Sequence, residues 1–159
     1  MSTQTSAAVS TPPRPHLGVN AVTPYLFFHG RCAEALAFYQ EVLGAEITAV
    51  FRFKDNPDTS GRTMPPEMME NIMHASLKIG TAEVFMSDGC GDPAVPFQSF
   101  GLSLTVATAA DATHAFAALS KGGEVRMPLG KTFFSPCFGI AADRFGVCWM
   151  IYVLPANDS

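Results

Sequence analysis

Two stretches of the chain repeat one pattern of apolar and polar positions: a short apolar strand, an alanine-rich helix that ends at a glycine, and a hairpin that closes in an apolar strand. The first copy begins with a strand at residues 22–28 and a helix at 33–43. The second begins with a strand at 102–106 and a helix at 112–121. Such a repeat predicts one supersecondary unit used twice, with each copy covering the apolar face of the other.

Hydrophobic periodicity and capping signals support both helices. In the first, Ala35, Phe38 and Val42 fall on one helical stripe, and Gly44 follows where a C-terminal cap is expected. Before the second, Thr108 and Asp111 resemble a capping box with aspartate in place of glutamate. The other predicted elements are strands at 46–53, 71–79, 83–87, 124–128, 132–141 and 147–154 and a long loop at 54–70.

These elements predict an α+β fold in which two paired βαβββ modules form a concave mixed sheet. A chain of 159 residues has the size of one ordinary domain. We expect that domain at residues 20–155, with module one at about 20–90 and module two at about 99–155. Residues 1–19 are expected to form a disordered tail, and residues 156–159 a second, short tail.

Composition and charge narrow the classes of partner. The net charge is −4 and no basic run occurs, so we expect no nucleic-acid binding. No apolar stretch approaches the roughly 20 residues needed to span a bilayer, and residues 1–16 lack the apolar segment of a secretory signal. The four cysteines form no paired motif, which favours free thiols in the reducing cytoplasm over disulfides or a zinc site.

Several motifs of this chain, taken together, resemble those of a known family. They are Pro24-Tyr25-Leu26-Phe27-Phe28, Gly30-Arg31-Cys32-Ala33-Glu34-Ala35, Phe38-Tyr39, Leu43-Gly44-Ala45-Glu46, Met73-His74-Ala75, Leu77-Lys78-Ile79-Gly80, Met86-Ser87-Asp88, Asp143-Arg144-Phe145-Gly146-Val147 and Trp149-Met150-Ile151. The combination covers about residues 20–155 and resembles the PhnB-like branch of the vicinal oxygen chelate superfamily. That superfamily includes glyoxalase I, bleomycin-resistance proteins and extradiol dioxygenases. The resemblance implies paired βαβββ modules, usually in a homodimer.

The resemblance also marks four positions where the superfamily's metalloenzymes carry His, Glu or Gln ligands to one divalent ion. In this chain the positions fall near Thr23, at Phe85, near Gly101 and at Met150. Phenylalanine and glycine side chains cannot ligate a metal, threonine is a weak ligand, and methionine suits Cu(I) rather than Zn²⁺, Ni²⁺, Mn²⁺ or Fe²⁺. We therefore expect neither a metal nor another cofactor.

Strand alternation assigns the remaining side chains to faces of the sheet. The faces that contain the four positions carry aromatic and apolar groups, scattered hydroxyls and one imidazole. Such a wall fits a small, partly aromatic organic molecule. The predicted ligand-binding residues are Thr23, Tyr25, His74, Ser76, Phe85, Ser87, Ser103, Thr105, Met150 and Tyr152. His74 is the candidate to orient a ligand or to act as a general base, and its alternative role is a satisfied histidine at a strand start or a dimer seam.

Three functions are compatible with the sequence. The first is a metal-free protein that binds a small molecule in the cleft between paired modules. The second is a divalent-metal-dependent lyase, isomerase or dioxygenase like the superfamily's enzymes. The third is a dimeric scaffold whose hollow is filled by its own side chains.

Overall fold

The structure, a computed structural model, describes residues 18–57, 64–89 and 92–156. Its elements occur in two copies of the order strand, helix, three strands. The first copy consists of β1 (Tyr25–Phe27), α1 (Cys32–Leu43), β2 (Glu46–Arg52), β3 (Ile72–Ile79) and β4 (Ala82–Ser87). The second consists of β5 (Leu102–Val106), α2 (Ala109–Ser120), β6 (Glu124–Gly130), β7 (Phe138–Ala142) and β8 (Cys148–Val153). The predicted α+β fold of paired βαβββ modules is confirmed.

Each module forms its own four-stranded mixed sheet. The strand orders are β1-β4-β3-β2 and β5-β8-β7-β6, and within the described residues no ladder joins the two sheets. In each module the first and last strands run parallel, while the other neighbours run antiparallel. The surface expected from the sequence as one concave sheet is therefore divided between two sheets of the same topology.

One hydrophobic core joins the modules on the helix side of the sheets. It includes Leu26, Phe38 and Leu77 from module one and Leu119 and Ile151 from module two. Helices α1 and α2 also contact each other. Because successive side chains of a strand point to opposite faces, this packing leaves the other face of each sheet without a covering helix from the described part of the chain. We call it the open face of that module.

A buried carboxylate connects module one to module two. Tyr39 Oη on α1 donates a hydrogen bond of 2.5 Å to Asp143 Oδ2, and Trp149 Nε1 donates one of 2.9 Å to the same oxygen. Asp143 Oδ1 accepts from the backbone N–H groups of Phe145 and Val147. Asp143 is only 2% exposed, so these bonds replace the water that the carboxylate loses on folding.

A second buried carboxylate caps helix α1 from a distance. Asp88 follows β4, and its Oδ1 accepts from the backbone N–H groups of Gly30 and Cys32 at 2.7 and 2.8 Å. Its Oδ2 accepts from the N–H of Ile72 at the start of β3. The residue at the N-cap itself, Arg31, makes no side-chain cap. One side chain therefore fixes the start of α1 against the last strand of its own module.

Two predicted strands begin later than the sequence indicated. β1 begins at Tyr25 rather than residue 22, and β7 begins at Phe138 rather than residue 132. Residues before β7 form a turn in which Thr132 N donates to Ser135 O, and Pro136 has no N–H to extend a ladder.

The long loop predicted at residues 54–70 contains two short 3-10 turns where it is described, Phe53–Asp55 and Pro66–Met68. Predictions for residues 1–17, 58–63, Cys90, Gly91 and 157–159 fall outside the described residues. Among the residues that are described, no helix is long and apolar enough to cross a membrane.

Candidate ligand-binding faces

The open face of module one carries an aromatic cluster around Tyr25 and His74. Tyr25 Oη lies 2.8 Å from His74 Nδ1. The Tyr25 ring stacks on Phe27 with centroids 5.0 Å apart and meets Phe85 edge-on at 5.7 Å. His74 also meets Phe85 edge-on, at 5.0 Å. Three predicted site residues, Tyr25, His74 and Phe85, thus lie in one cluster, to which the structure adds Phe27.

Strand register places these side chains side by side. Parallel pairing of β1 with β4 sets Tyr25 opposite Phe85, and antiparallel pairing of β3 with β4 sets Ser76 opposite Phe85. Pairing of β2 with β3 sets Phe51 opposite His74. Phe51 is 50% exposed and was missed in the sequence, because the register of β2 contains bulges that strand alternation alone does not show.

The hydrogen bond between Tyr25 and His74 defines what this cluster can offer a ligand. When the tyrosine hydroxyl donates to Nδ1, the proton of the neutral imidazole resides on Nε2. The ring then has its one N–H donor at Nε2, among aromatic side chains. This arrangement can orient a ligand acceptor at the edge of the apolar cluster.

Some polar side chains on the same face are already hydrogen-bonded to one another. Ser76 Oγ donates a bond of 2.6 Å to Glu83 Oε1. Lys78 is the register partner of Glu83 on one side and of Glu46 on the other. Glu83 was not among the predicted site residues, although it lies two positions before Phe85 and therefore on the same face.

Ser87, like Ser76, is buried, in contrast to the aromatic residues of the cluster. It is 3% exposed, and its hydroxyl donates to the carbonyl oxygens of Ile72 and Met73. Thr23 precedes β1 and is half-buried; the next residue, Pro24, accepts a backbone bond from Phe85 N, so Thr23 lies near Phe85. The hydroxyl of Ser87 therefore serves the backbone, whereas the Tyr25 cluster is accessible.

The open face of module two brings four further predicted residues together. Parallel pairing of β5 with β8 sets Ser103 opposite Met150 and Thr105 opposite Tyr152. The Tyr152 ring stacks on Phe134 with centroids 6.2 Å apart. Phe134 was missed because the sequence placed it in a strand, whereas it belongs to the turn before β7.

The predicted residues thus form two groups, one on each open face. Each ring contact found among the described residues of the two open faces stays within its own module. The shared core lies between the helix sides of the sheets, so the open faces do not wall a common cleft inside one chain.

The four positions that ligate metal in the superfamily also separate into two pairs. Thr23 lies near Phe85 in module one. In module two, a Cβ built on Gly101 would lie 3.7 Å from Met150 Sδ and 3.5 Å from Cys148 Sγ. The side chains at the four positions are a hydroxyl, a phenyl ring, a hydrogen atom and a thioether. They do not form a donor set for a hard divalent ion. Within residues 18–57, 64–89 and 92–156, no three His, Cys, Asp or Glu side chains cluster as a metal site.

Thiols contribute little to either face. Burial, and then the charge of Asp88, raise the pKa of the Cys32 thiol from 9.0 to about 12, so it stays protonated and is a poor nucleophile. Cys137 is buried as well, while Cys148 is half-buried on the open face of β8. Among the described cysteines, burial therefore argues against Cys32 and Cys137 as nucleophiles.

Comparison with known proteins places this fold in a family. Residues 19–151 match the model of the glyoxalase/bleomycin resistance protein/dioxygenase superfamily. Protein YjdN from Escherichia coli K12 is 32% identical over 139 residues, which span 84% of this chain and 95% of YjdN. The crystal structure of PA1353 from Pseudomonas aeruginosa superposes with a TM-score of 0.73 at 38% identity, covering 84% of this chain and 96% of that one.

A PhnB protein from Bacillus cereus is also similar in structure. It gives a TM-score of 0.69 at 27% identity, with 83% of this chain and 98% of that chain covered. The likeness therefore extends over both modules and not over one of them alone. From the family match, the paired modules and these relatives, the chain belongs to the glyoxalase/bleomycin resistance protein/dioxygenase superfamily, with a PhnB-like fold.

Proposed function

We propose that this protein binds a small, partly aromatic organic molecule against its open faces, without a metal ion. The observation that carries the proposal is the accessible cluster of Tyr25, Phe27, His74 and Phe85 on a face that neither α1 nor α2 covers. Aromatic rings with one imidazole and one hydroxyl match the usual chemistry of a ligand wall, which is apolar with few placed polar groups. The poor donor set at Thr23, Phe85, Gly101 and Met150 supports binding without metal.

The cleft for this ligand would be completed by a second copy of the chain, giving a homodimer. Within one chain the open faces lie on the far sides of a shared core, so a two-walled cleft needs module one of one copy opposite module two of the other. Large apolar side chains on these faces are exposed, including Tyr25 and Phe51 on one and Met127 and Phe134 on the other. Such exposed apolar area is typical of a surface covered by a partner.

The same proposal places the protein in the cytoplasm. Cys32, Cys137 and Cys148 are free thiols in the described residues. Free thiols persist where glutathione and thioredoxin keep the compartment reduced. The negative charge and the absence of a basic run agree with a small-molecule ligand rather than nucleic acid.

Thermal-shift and calorimetric screening with a library of small aromatic compounds tests the binding. We expect saturable binding that is unchanged by EDTA. Tyr25→Ala and Phe85→Leu should each weaken it about tenfold, because they remove ring contacts within the cluster. Phe100→Ala is the matched control, since Phe100 is a 44% exposed ring that contacts Phe97 of the linker instead.

The alternatives give different results in the same experiment. A stoichiometric divalent metal on which binding depends would replace this proposal with a metal-dependent lyase, isomerase or dioxygenase. The absence of any shift across the library, with an unchanged result for Tyr25→Ala, would favour a scaffold without ligand.

A further inference from the structure

A cavity of about 410 Å³ lies at the junction of the two modules, apart from the Tyr25 cluster, and Ser103 and Thr105 at the edge strand β5 form part of its lining. Module one contributes Pro24, Val84 and the β3–β4 turn, and module two contributes β5 and Trp149. Val84 and Trp149 are 6% and 3% exposed and belong to the shared core. The cavity therefore reaches from the surface to the helix side of the sheets, opposite to the side that carries the Tyr25 cluster.

None of the described residues that line this cavity is charged. Its apolar walls are formed by Ile79, Val84, Leu102, Leu104 and Trp149, and the polar residues of the lining are Thr81, Ser103 and Thr105. An ion entering such a space would lose water without gaining a counter-charge. The lining thus complements a neutral molecule.

Trp149 also favours an apolar occupant of the cavity. Its Nε1, the one polar atom of the indole, donates to Asp143 Oδ2 at 2.9 Å and is not free for another acceptor. The indole can therefore offer an occupant apolar ring surface alone. A cavity volume of about 410 Å³ falls within the range of about 300 to 1,000 Å³ that is usual for ligand pockets, which occur preferentially at junctions between structural units.

We propose that the junction cavity is a second binding site, for a small neutral molecule with an aromatic or aliphatic body and few hydrogen-bonding groups. Such a molecule would contact both modules at once. It would bind independently of the Tyr25 cluster, because none of the residues of that cluster lines the cavity.

Fluorescence of Trp149, the one tryptophan of the chain, reports on this site directly. The probe is 4-nitrobenzyl alcohol, a neutral aromatic quencher, and 4-nitrobenzoate is its charged counterpart. We expect saturable quenching by the alcohol and at least about tenfold weaker binding of the anion. Ala82→Leu adds bulk at the exposed edge of the wall and should weaken binding of the alcohol about tenfold. Ile79→Ser should weaken binding of the alcohol about threefold.

Met150→Leu is the matched control, because Met150 lies one position from Trp149 on the opposite face of β8 and should leave quenching unchanged. Quenching that rises linearly without saturation, or equal binding of the anion, overturns the proposal. So does equal loss in Met150→Leu, which would place the probe on the open face. Quenching that vanishes as protein concentration rises would show a second copy covering the cavity and would overturn it as well.

Discussion

Asp143 is the residue on which the connection between the modules depends most directly. Its two carboxylate oxygens accept four hydrogen bonds, from Tyr39, Trp149, Phe145 and Val147. Burial, together with the charge of Asp143 and the hydrogen bond to it, raises the pKa of Tyr39, so the phenol remains a donor. Tyr39 therefore takes part in this network as a neutral hydrogen-bond donor.

Replacing this acceptor should destabilise the protein strongly. In Asp143→Asn, the amide NH₂ must face either Trp149 Nε1 or the backbone N–H groups, and donors cannot pair with donors. We expect a loss of about 2 to 4 kcal/mol in the free energy of unfolding, measured by urea denaturation. Asp92→Asn, at an exposed turn, is the control and should change it by less than about 0.5 kcal/mol. Equal losses in the two variants would contradict this account.

Cys32 should be chemically silent in the folded protein. Its pKa is raised from 9.0 to about 12 by burial and by Asp88, so at about pH 8 it is a thiol. We expect iodoacetamide to label Cys148 well before Cys32, as read by peptide mass spectrometry. The Cys32 thiol ionises at a lower pH in the unfolded chain than in the folded protein. Its contribution to the free energy of unfolding is therefore complete below about pH 9 and is lost as the pH rises toward 12. In Cys32→Ser, the free energy of unfolding should fall less steeply over this pH range. Fast labelling of Cys32 in the folded protein would contradict this account.

At the scale of elements, the two helices are matched in length but begin by different means. Thr108 caps α2 within its own sequence, accepting from Asp111 N, whereas α1 is capped by Asp88 from the end of β4. The first signal is local and could be predicted from the sequence. The second could not, because the capping residue lies 56 positions from Cys32.

Removing the two caps should therefore have unequal effects. Thr108→Ala should cost about 1 kcal/mol, the usual value for an exposed N-cap. Asp88→Ala should cost about 3 kcal/mol, because it leaves the N–H groups of Gly30, Cys32 and Ile72 without their acceptor. Urea unfolding of the two variants provides the comparison, and a smaller loss for Asp88→Ala would refute the distant cap.

Elements with local signals were predicted closely, while those set by distant contacts were not. β5 was predicted at its observed bounds because a short apolar run is followed by a capping motif. The turn before β7 was predicted as strand, since its apolar residues are typical of strands. Ser135 Oγ donates to Val153 O at 2.7 Å, and that long-range bond holds the turn against β8.

At the scale of the whole molecule, the sequence predicted which side chains share a face but not which faces oppose each other. Alternation placed Tyr25, His74 and Phe85 together, and the structure agrees. The separation of that group from Ser103, Met150 and Tyr152 follows from packing of both helix sides into one core. Such packing depends on three-dimensional fit between modules and leaves no periodic signal in the chain.

This arrangement leads to a prediction for assembly. If the open faces are covered by a second copy, Phe51→Glu should convert a dimer into a monomer, because it buries a charge in an apolar interface. Light scattering after size exclusion, at tens of micromolar protein, gives the mass directly. Val95→Glu is the control, since Val95 is 54% exposed in the linker between modules. A monomeric parent protein, or a monomer produced by both variants, would count against an open-face dimer.

The bond network around Asp143 also bears on how a duplicated protein can change. Its members come from both halves, with Tyr39 in the first and Asp143 and Trp149 in the second. The first half alone would leave the Tyr39 hydroxyl without its acceptor, and the second half alone would leave Asp143 without one of its donors. We therefore expect each half to depend on the other for folding, while residues on the outward surfaces of the two halves are free of this constraint.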